Sequence, residues 1–205
     1  MKYILWQILF LSTAFIAFPS DIISQWNFNS LPPDASTSTG RTAPSMGTGT
    51  VTLLGGVTES FVAGGAKDPA SADNSAWSVS KFPQVMVSNR MAGVRFQAST
   101  AGFERISIGW SQQNSGSASR YARVQYSTDA VTFEDLPAYA ILKESTWTNL
   151  VFDLAPVSAA DDNPNFAFQI VTEFESTAVG GLPGFMPTDP EGNYLHLVQR
   201  EKPLP

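Results

Sequence analysis

The sequence has no cysteine. That excludes disulfide bonds, thiolate metal sites and cysteine nucleophiles, so any core must hold without covalent staples. Charge is scarce as well. Asp, Glu, Lys and Arg make up 15% of the 205 residues, below the usual quarter. The 12 Lys and Arg are scattered among 18 Asp and Glu, for a formal net charge of −6. Without a clustered basic stripe, a nucleic-acid groove is not expected. An acidic balance of this size supports solubility and weak repulsion from anionic surfaces.

Histidine is nearly absent too. A Ser–His hydrolase would have to use His196, the single histidine, and would need a G-x-S-x-G elbow that the chain lacks. A surface or interface role for His196 is the favoured reading. Gly64-Gly65 and Gly180-Gly181 are not followed by the Lys-Ser/Thr of a phosphate loop. No segment sustains a helical period.

One stretch is continuously apolar. Met1 to Phe18 sets Lys2 before a run broken by Gln7, Ser12 and Thr13. A basic start followed by a short apolar run is the pattern of a secretory signal helix. The run is short for a membrane span of about 20 residues. The expectation is a signal peptide over 1–24, a folded domain over 25–199 and a tail over 200–205. No membrane span remains after cleavage, and the protein is secreted or held at the cell surface.

Most of the remaining chain alternates with period two. Ile106, Ile108 and Trp110 alternate with Ser107, Gly109 and Ser111, and Ala122, Val124 and Tyr126 alternate with Arg123, Gln125 and Ser127. The Asn114–Ser117 cluster between them predicts an antiparallel hairpin with one buried face. Shorter runs predict strands near 25–30, 50–54, 58–62, 76–82, 92–98, 138–142, 147–154, 166–174 and 193–199. Many short strands joined by Gly/Pro/Ser turns indicate an all-β, antiparallel two-sheet sandwich, jelly-roll-like. The inward set would include Trp26, Phe28, Val94, Phe96, Ile106, Ile108, Trp110, Val124, Phe152, Phe166, Phe168 and Ile170.

Three stretches carry a family resemblance: Gln25-Trp26-Asn27-Phe28-Asn29-Ser30-Leu31-Pro32-Pro33-Asp34, Ser119 to Phe133, and Asn163-Pro164-Asn165-Phe166-Ala167-Phe168. Together they resemble a large group of exported bacterial β-sandwich proteins, many of which end in a Pro-Glu-Pro sorting signal. The resemblance covers residues 25 to about 175. It implies a jelly roll and export, and carries little about activity. The chain departs from that pattern where a sorting signal and a Trp/Phe-rich closing strand would stand. Tyr194-Leu195-His196-Leu197-Val198 occupies the slot. Either it takes the closing position or a strand edge is left open.

Four groups of residues invite a chemical reading. Ser127 to Phe133 resembles an Asp-box turn, with Asp129 accepting from its own turn amides. Asp161, Asp162 and Asn163 offer hard oxygen ligands that Ca²⁺ would accept, although Asp and Asn are also ordinary turn residues. No other cofactor is suggested. Glu173 and Glu175, two apart on a strand, would point the same way about 6.5–7 Å apart, a spacing glycosidase carboxylates can use. The jelly-roll glucanase signature E-x-D-x-x-E is absent, and two like charges on a solvated strand face is the favoured reading. Finally, Arg95, Gln97, Arg105, Ser107, Tyr121, Arg123, Gln125 and Gln169 would share the outward face. Arg and Gln forks beside a tyrosine suit sugar hydroxyls and a pyranose ring.

The functional expectation is a non-catalytic exported module whose partner is an extracellular polysaccharide or a surface matrix. The alternatives are a matrix component that assembles through an open strand edge, and a glycoside hydrolase.

Overall fold

The computed structural model describes residues 21–65, 73–84, 86–141, 145–178 and 193–197, with residues 138–141 and 193–197 described by backbone alone. The expected signal helix, apart from residues 21–24, and the expected tail lie outside the described residues.

In chain order the strands are β1 (Ser24–Gln25), β2 (Met46–Gly47), β3 (Thr50–Leu54), β4 (Thr58–Ala63), β5 (Ser75–Ser80) and β6 (Gly93–Gln97). They continue as β7 (Ser107–Asn114), β8 (Tyr121–Ser127), β9 (Glu134–Ile141), β10 (Thr148–Asp153), β11 (Ala167–Glu173) and β12 (Asn193–Leu197). β1 and β2 pair with each other. The rest form two five-stranded antiparallel sheets, β10-β7-β12-β5-β4 and β3-β6-β11-β8-β9. The expected all-β two-sheet sandwich is what the chain forms.

Alternation decides which residues meet between the sheets. In β7 every second residue is buried: Ile108, Trp110, Gln112 and Asn114. In β11, Phe168 and Ile170 face inward, in register with Phe96 and Val94 of β6. Phe96 stacks on Phe168 with centroids 5.1 Å apart and meets Trp26 and Trp77 edge-on at 5.2 and 6.3 Å. Trp77 belongs to the other sheet, so this cluster ties the two layers together. Each such buried apolar side chain contributes about 1.5–3 kcal/mol. Where the core becomes polar it is satisfied in sequence. Trp110 Nε1 donates to Gln112 Oε1, Gln112 Nε2 to Asn114 Oδ1, and Asn114 Nδ2 to the Ser119 carbonyl, at 2.8–2.9 Å.

One expectation is corrected here. β7 and β8 were expected to pair as a hairpin. They lie in opposite sheets, β7 between β10 and β12 and β8 between β11 and β9. The loop over 115–120 crosses the gap of about 10 Å between packed sheets instead of folding back in plane. Both arrangements bury Ile108, Trp110, Ala122 and Val124, so alternation does not tell them apart. The closing strand, for which two alternatives stood open, takes the first of them. β12 sits inside its sheet, with Asn193 to Leu197 opposite β7 and Asn193 to Leu195 opposite β5. The slot expected either to close or to stay open is filled, which removes the reason given for edge-to-edge assembly.

Candidate functional site

The outer face of the sheet β3-β6-β11-β8-β9 carries the polar residues. Its register is set by the pairs Thr52↔Arg95, Gln169↔Arg95, Gln169↔Gln125 and Gln125↔Asp135. These place Thr52, Arg95, Gln169, Gln125 and Asp135 in one row across all five strands, about 19 Å at the usual strand spacing. The side chains are hydrogen-bonded along the row. Arg95 Nε donates to Gln169 Oε1 at 3.1 Å, Gln169 Nε2 to Gln125 Oε1, and Gln125 Nε2 to Asp135 Oδ1 at 2.7 Å. The guanidinium of Arg95 lies over the Phe133 ring, 4.2 Å from its centroid. Such stacking stabilises a cation by about 0.5–2 kcal/mol and holds it in place.

Phe133 reaches this position because of the turn before it. Asp129 Oδ1 accepts the amides of Val131 and Thr132 at 2.8 and 2.7 Å and the Ser127 hydroxyl at 2.8 Å. The Thr132 and Val131 amides, then the Ser127 hydroxyl, hold the Asp129 carboxyl well below the usual carboxylate range. The expected Asp-box geometry is present, with Val131 exposed where glycine is usual.

A second group lies further along the same face. Glu173 is 0% exposed and Arg123 is 6% exposed. Arg123 Nε and Nη2 donate to the two oxygens of Glu173 at 2.8 and 3.0 Å. Arg123 Nη1 donates to the carbonyls of Leu136 and Pro137 at 2.9 and 3.1 Å. The β8–β9 register shifts between Arg123 and Gln125, beside these carbonyls. Proline within a strand is confined to edges and bulges, and Pro137 lies on an edge strand at such a bulge. Arg90, from the loop before β6, donates Nε to Glu173 Oε1 at 2.8 Å, and its other nitrogens reach Glu173 and Asp135. The Arg90 amide bonds the Thr172 carbonyl, which lays this loop along β11.

The sequence-predicted site residues divide accordingly. Arg95 and Gln125 share the central row. Gln97 is exposed one step along β6, opposite Ala167. Tyr121 lies opposite Glu173 on β8 and its phenol donates to Glu175 Oε1 at 3.1 Å. Arg123 is on the expected face, but it is buried and bound to Glu173 instead of turned to solvent. Arg105 does not join the face. It sits in the loop before β7 with φ of 55°, so the alternation extrapolated back from β7 stops short of it. Ser107 belongs to the opposite sheet.

The carboxylate pair is also corrected. β11 ends at Glu173, and Glu175 begins a short helical turn, Glu175–Ala178. The two do not stand side by side on a solvated strand. Glu173 is enclosed by two guanidiniums.

Two of the oxygens offered to Ca²⁺ have other partners. Asp162 Oδ1 accepts the Gly102 amide at 2.7 Å, and Asn163 Oδ1 accepts the Asn165 amide at 2.7 Å. Asp161 Oδ1 is buried without a hydrogen-bond partner. Among the described residues no group of three or more His, Asp and Glu side chains converges as a metal site would require. The side chain of His196 lies outside the described residues.

Sequence reasoning did not single out Arg90, Phe133 or Asp135 for this face. Phe133 and Asp135 share the parity of an outward face, a signal that was available. Arg90 lies in a loop and offers none.

No family model and no curated protein matches this chain. Among solved structures, its fold is similar to that of the CBM22-1 xylan-binding domain from Paenibacillus barcinonensis Xyn10C. The two are 12% identical over 91% of this chain and 97% of that one, with a TM-score of 0.53. The N-terminal CBM22-1-CBM22-2 tandem domain from the same Xyn10C gives 12% identity, 92% and 47% coverage and a TM-score of 0.55. At this identity the likeness is one of fold, that of an antiparallel β-sandwich.

Proposed function

We propose that this protein is a non-catalytic module that holds an extracellular polysaccharide on the outer face of the sheet β3-β6-β11-β8-β9. The observation that carries this reading is the hydrogen-bonded row from Arg95 through Gln169 and Gln125 to Asp135, with Phe133 backing Arg95. Sugar hydroxyls are recognised by planar amide and guanidinium groups whose rotamers are already locked. At about 19 Å the row is longer than one sugar ring, so it suits a polymer. The fold likeness to a xylan-binding domain supports the same class of ligand. Burial of Glu173 between Arg90 and Arg123 supports binding over hydrolysis, because a carboxylate fixed in that way is not presented to a ligand. Export, as the N-terminal apolar run suggests, would put the module where such polymers occur.

The test is affinity electrophoresis against a panel of polysaccharides that includes xylan. Retardation by at least one polymer is expected, weakened in Phe133→Ala and unchanged in Val151→Ala on the opposite sheet. A protein retarded by none of them, or one whose retardation ignores Phe133→Ala, would refute the reading.

A further inference from the structure

We propose that the polysaccharide is acidic, and that Arg95 receives the carboxylate of a uronic acid unit through its two Nη groups. This rests on the polysaccharide-binding reading above and narrows it to a substrate class.

Among the described residues three guanidiniums lie on this face, and two are neutralised. Arg123 is paired with Glu173, and Arg90 with Glu173 and Asp135. Arg95 has no carboxylate partner among the described residues. Its Nε is bound by Gln169 Oε1 and its plane rests on Phe133, so the fork is fixed on two sides. The Nη atoms have no hydrogen-bond partner among the described residues. They are also not among the buried unpaired atoms of the described residues, which are Arg41 Nε, Asn74 Oδ1 and Asp161 Oδ1. They therefore reach solvent. A half-buried, stacked guanidinium with its outer edge open is a preformed bidentate donor for a planar oxyanion.

The local field agrees. Asp135 lies at the far end of the same row and is ion-paired with Arg90. Glu173 lies four residues further along β11 than Gln169, about 13 Å at the usual rise. Both carboxylates already face Arg90 or Arg123. The net charge of −6 therefore does not cancel the positive site at Arg95. A neutral polymer would leave that cation with hydroxyls alone, whereas a carboxylate matches its charge and its plane. The flanking Thr52, Gln97 and Gln125 donate to or accept from the hydroxyls of the same chain.

The experiment titrates the full chain calorimetrically, at about 0.15 M salt, with polygalacturonate, alginate and hyaluronate. Each is compared with its carboxyl-reduced neutral counterpart, and dextran sulfate serves as a sulfate control. At least one uronate polymer should bind about tenfold or more tighter than its reduced form, the range of a charge-assisted hydrogen-bonded pair. Arg95→Lys keeps the charge but loses the fork, so it should abolish most of that preference while leaving the melting temperature unchanged. Phe133→Leu should weaken uronate binding without touching the charge. Equal binding of acidic and reduced polymers, or of xylan alone, overturns the acidic assignment and leaves the polysaccharide reading intact. Dextran sulfate binding as tightly as the uronates, or Arg95→Lys keeping the preference, overturns the planar carboxylate fork. Binding to none of the polymers overturns both proposals. The comparison on the unaltered protein decides the matter even if a variant fails to fold.

Discussion

Replacing Glu173 with glutamine isolates the ion group that shapes the outer face. The change keeps the shape of the side chain and removes its charge. Glu173 is 0% exposed and accepts from Arg90 Nε at 2.8 Å, Arg123 Nε at 2.8 Å and Arg123 Nη2 at 3.0 Å. The two arginines should respond differently. The Arg90 side chain is 29% exposed and keeps Asp135, so water and a second carboxylate absorb its loss. The Arg123 side chain is 7% exposed. It retains the carbonyls of Leu136 and Pro137, which carry no net charge, and the new amide turns a donor toward a donor. Removing one member of a buried pair costs about 3–5 kcal/mol. For a domain of this size that lowers the melting temperature by roughly 6–20 °C.

Urea unfolding should show the midpoint falling with an unchanged slope, since the exposed area on unfolding is the same. The loss should also persist at high salt, because a buried pair is poorly screened. The combined variant Arg123→Met with Glu173→Leu should recover most of the loss, since apolar replacement of a buried pair is often neutral. A shift in Glu173→Gln below about 0.5 kcal/mol, the range of ordinary surface changes, would refute this reasoning. A combined variant that loses as much as the sum of its two single changes would do so as well.

Asp129→Ala should destabilise the protein most at neutral pH. The turn amides depress the folded-state pKa of Asp129, so its contribution is complete above the unfolded value near 3.8 and fades as pH falls through the lower folded value. Urea midpoints of the two proteins should converge on acidification, and a gap that widens toward low pH would contradict the turn assignment. Ile108→Asp should leave no folded protein. Ile108 is fully buried between the sheets, and an unpaired carboxylate there costs several kcal/mol, a large share of the stability of a typical domain. A cooperative thermal transition in that variant would place Ile108 outside the core.

Alternation along single strands was enough to place Phe96, Ile108, Trp110, Val124 and Phe168 inside, and the Ser127–Phe133 motif was enough to place the Asp129 turn. Both signals are local, since a side chain's facing depends on parity and a turn on its own amides. Arg95, Gln125 and Gln169 were likewise legible as outward residues of strands. The burial of Arg123 was not, because a charge is drawn inside only when a partner stands ready. Here the partner, Glu173, lies 50 residues away, and Arg90 is a further 83 residues from Glu173. The row that unites Arg95, Gln169, Gln125 and Asp135 exists only once β11 lies between β6 and β8.

Sequence by itself determined that this chain is a two-layer antiparallel sandwich, and which side chains fill it. Only the tertiary structure decided that β7 and β8 face each other across the core, and that β12 closes a sheet from within. It also decided that, among the described residues, Arg90 and Arg123 on the outer face are ion-paired and Arg95 is not. The reason is that inward and outward facing repeats with the same period whichever strand lies alongside, whereas pairing order and charge matching depend on segments far apart in the chain.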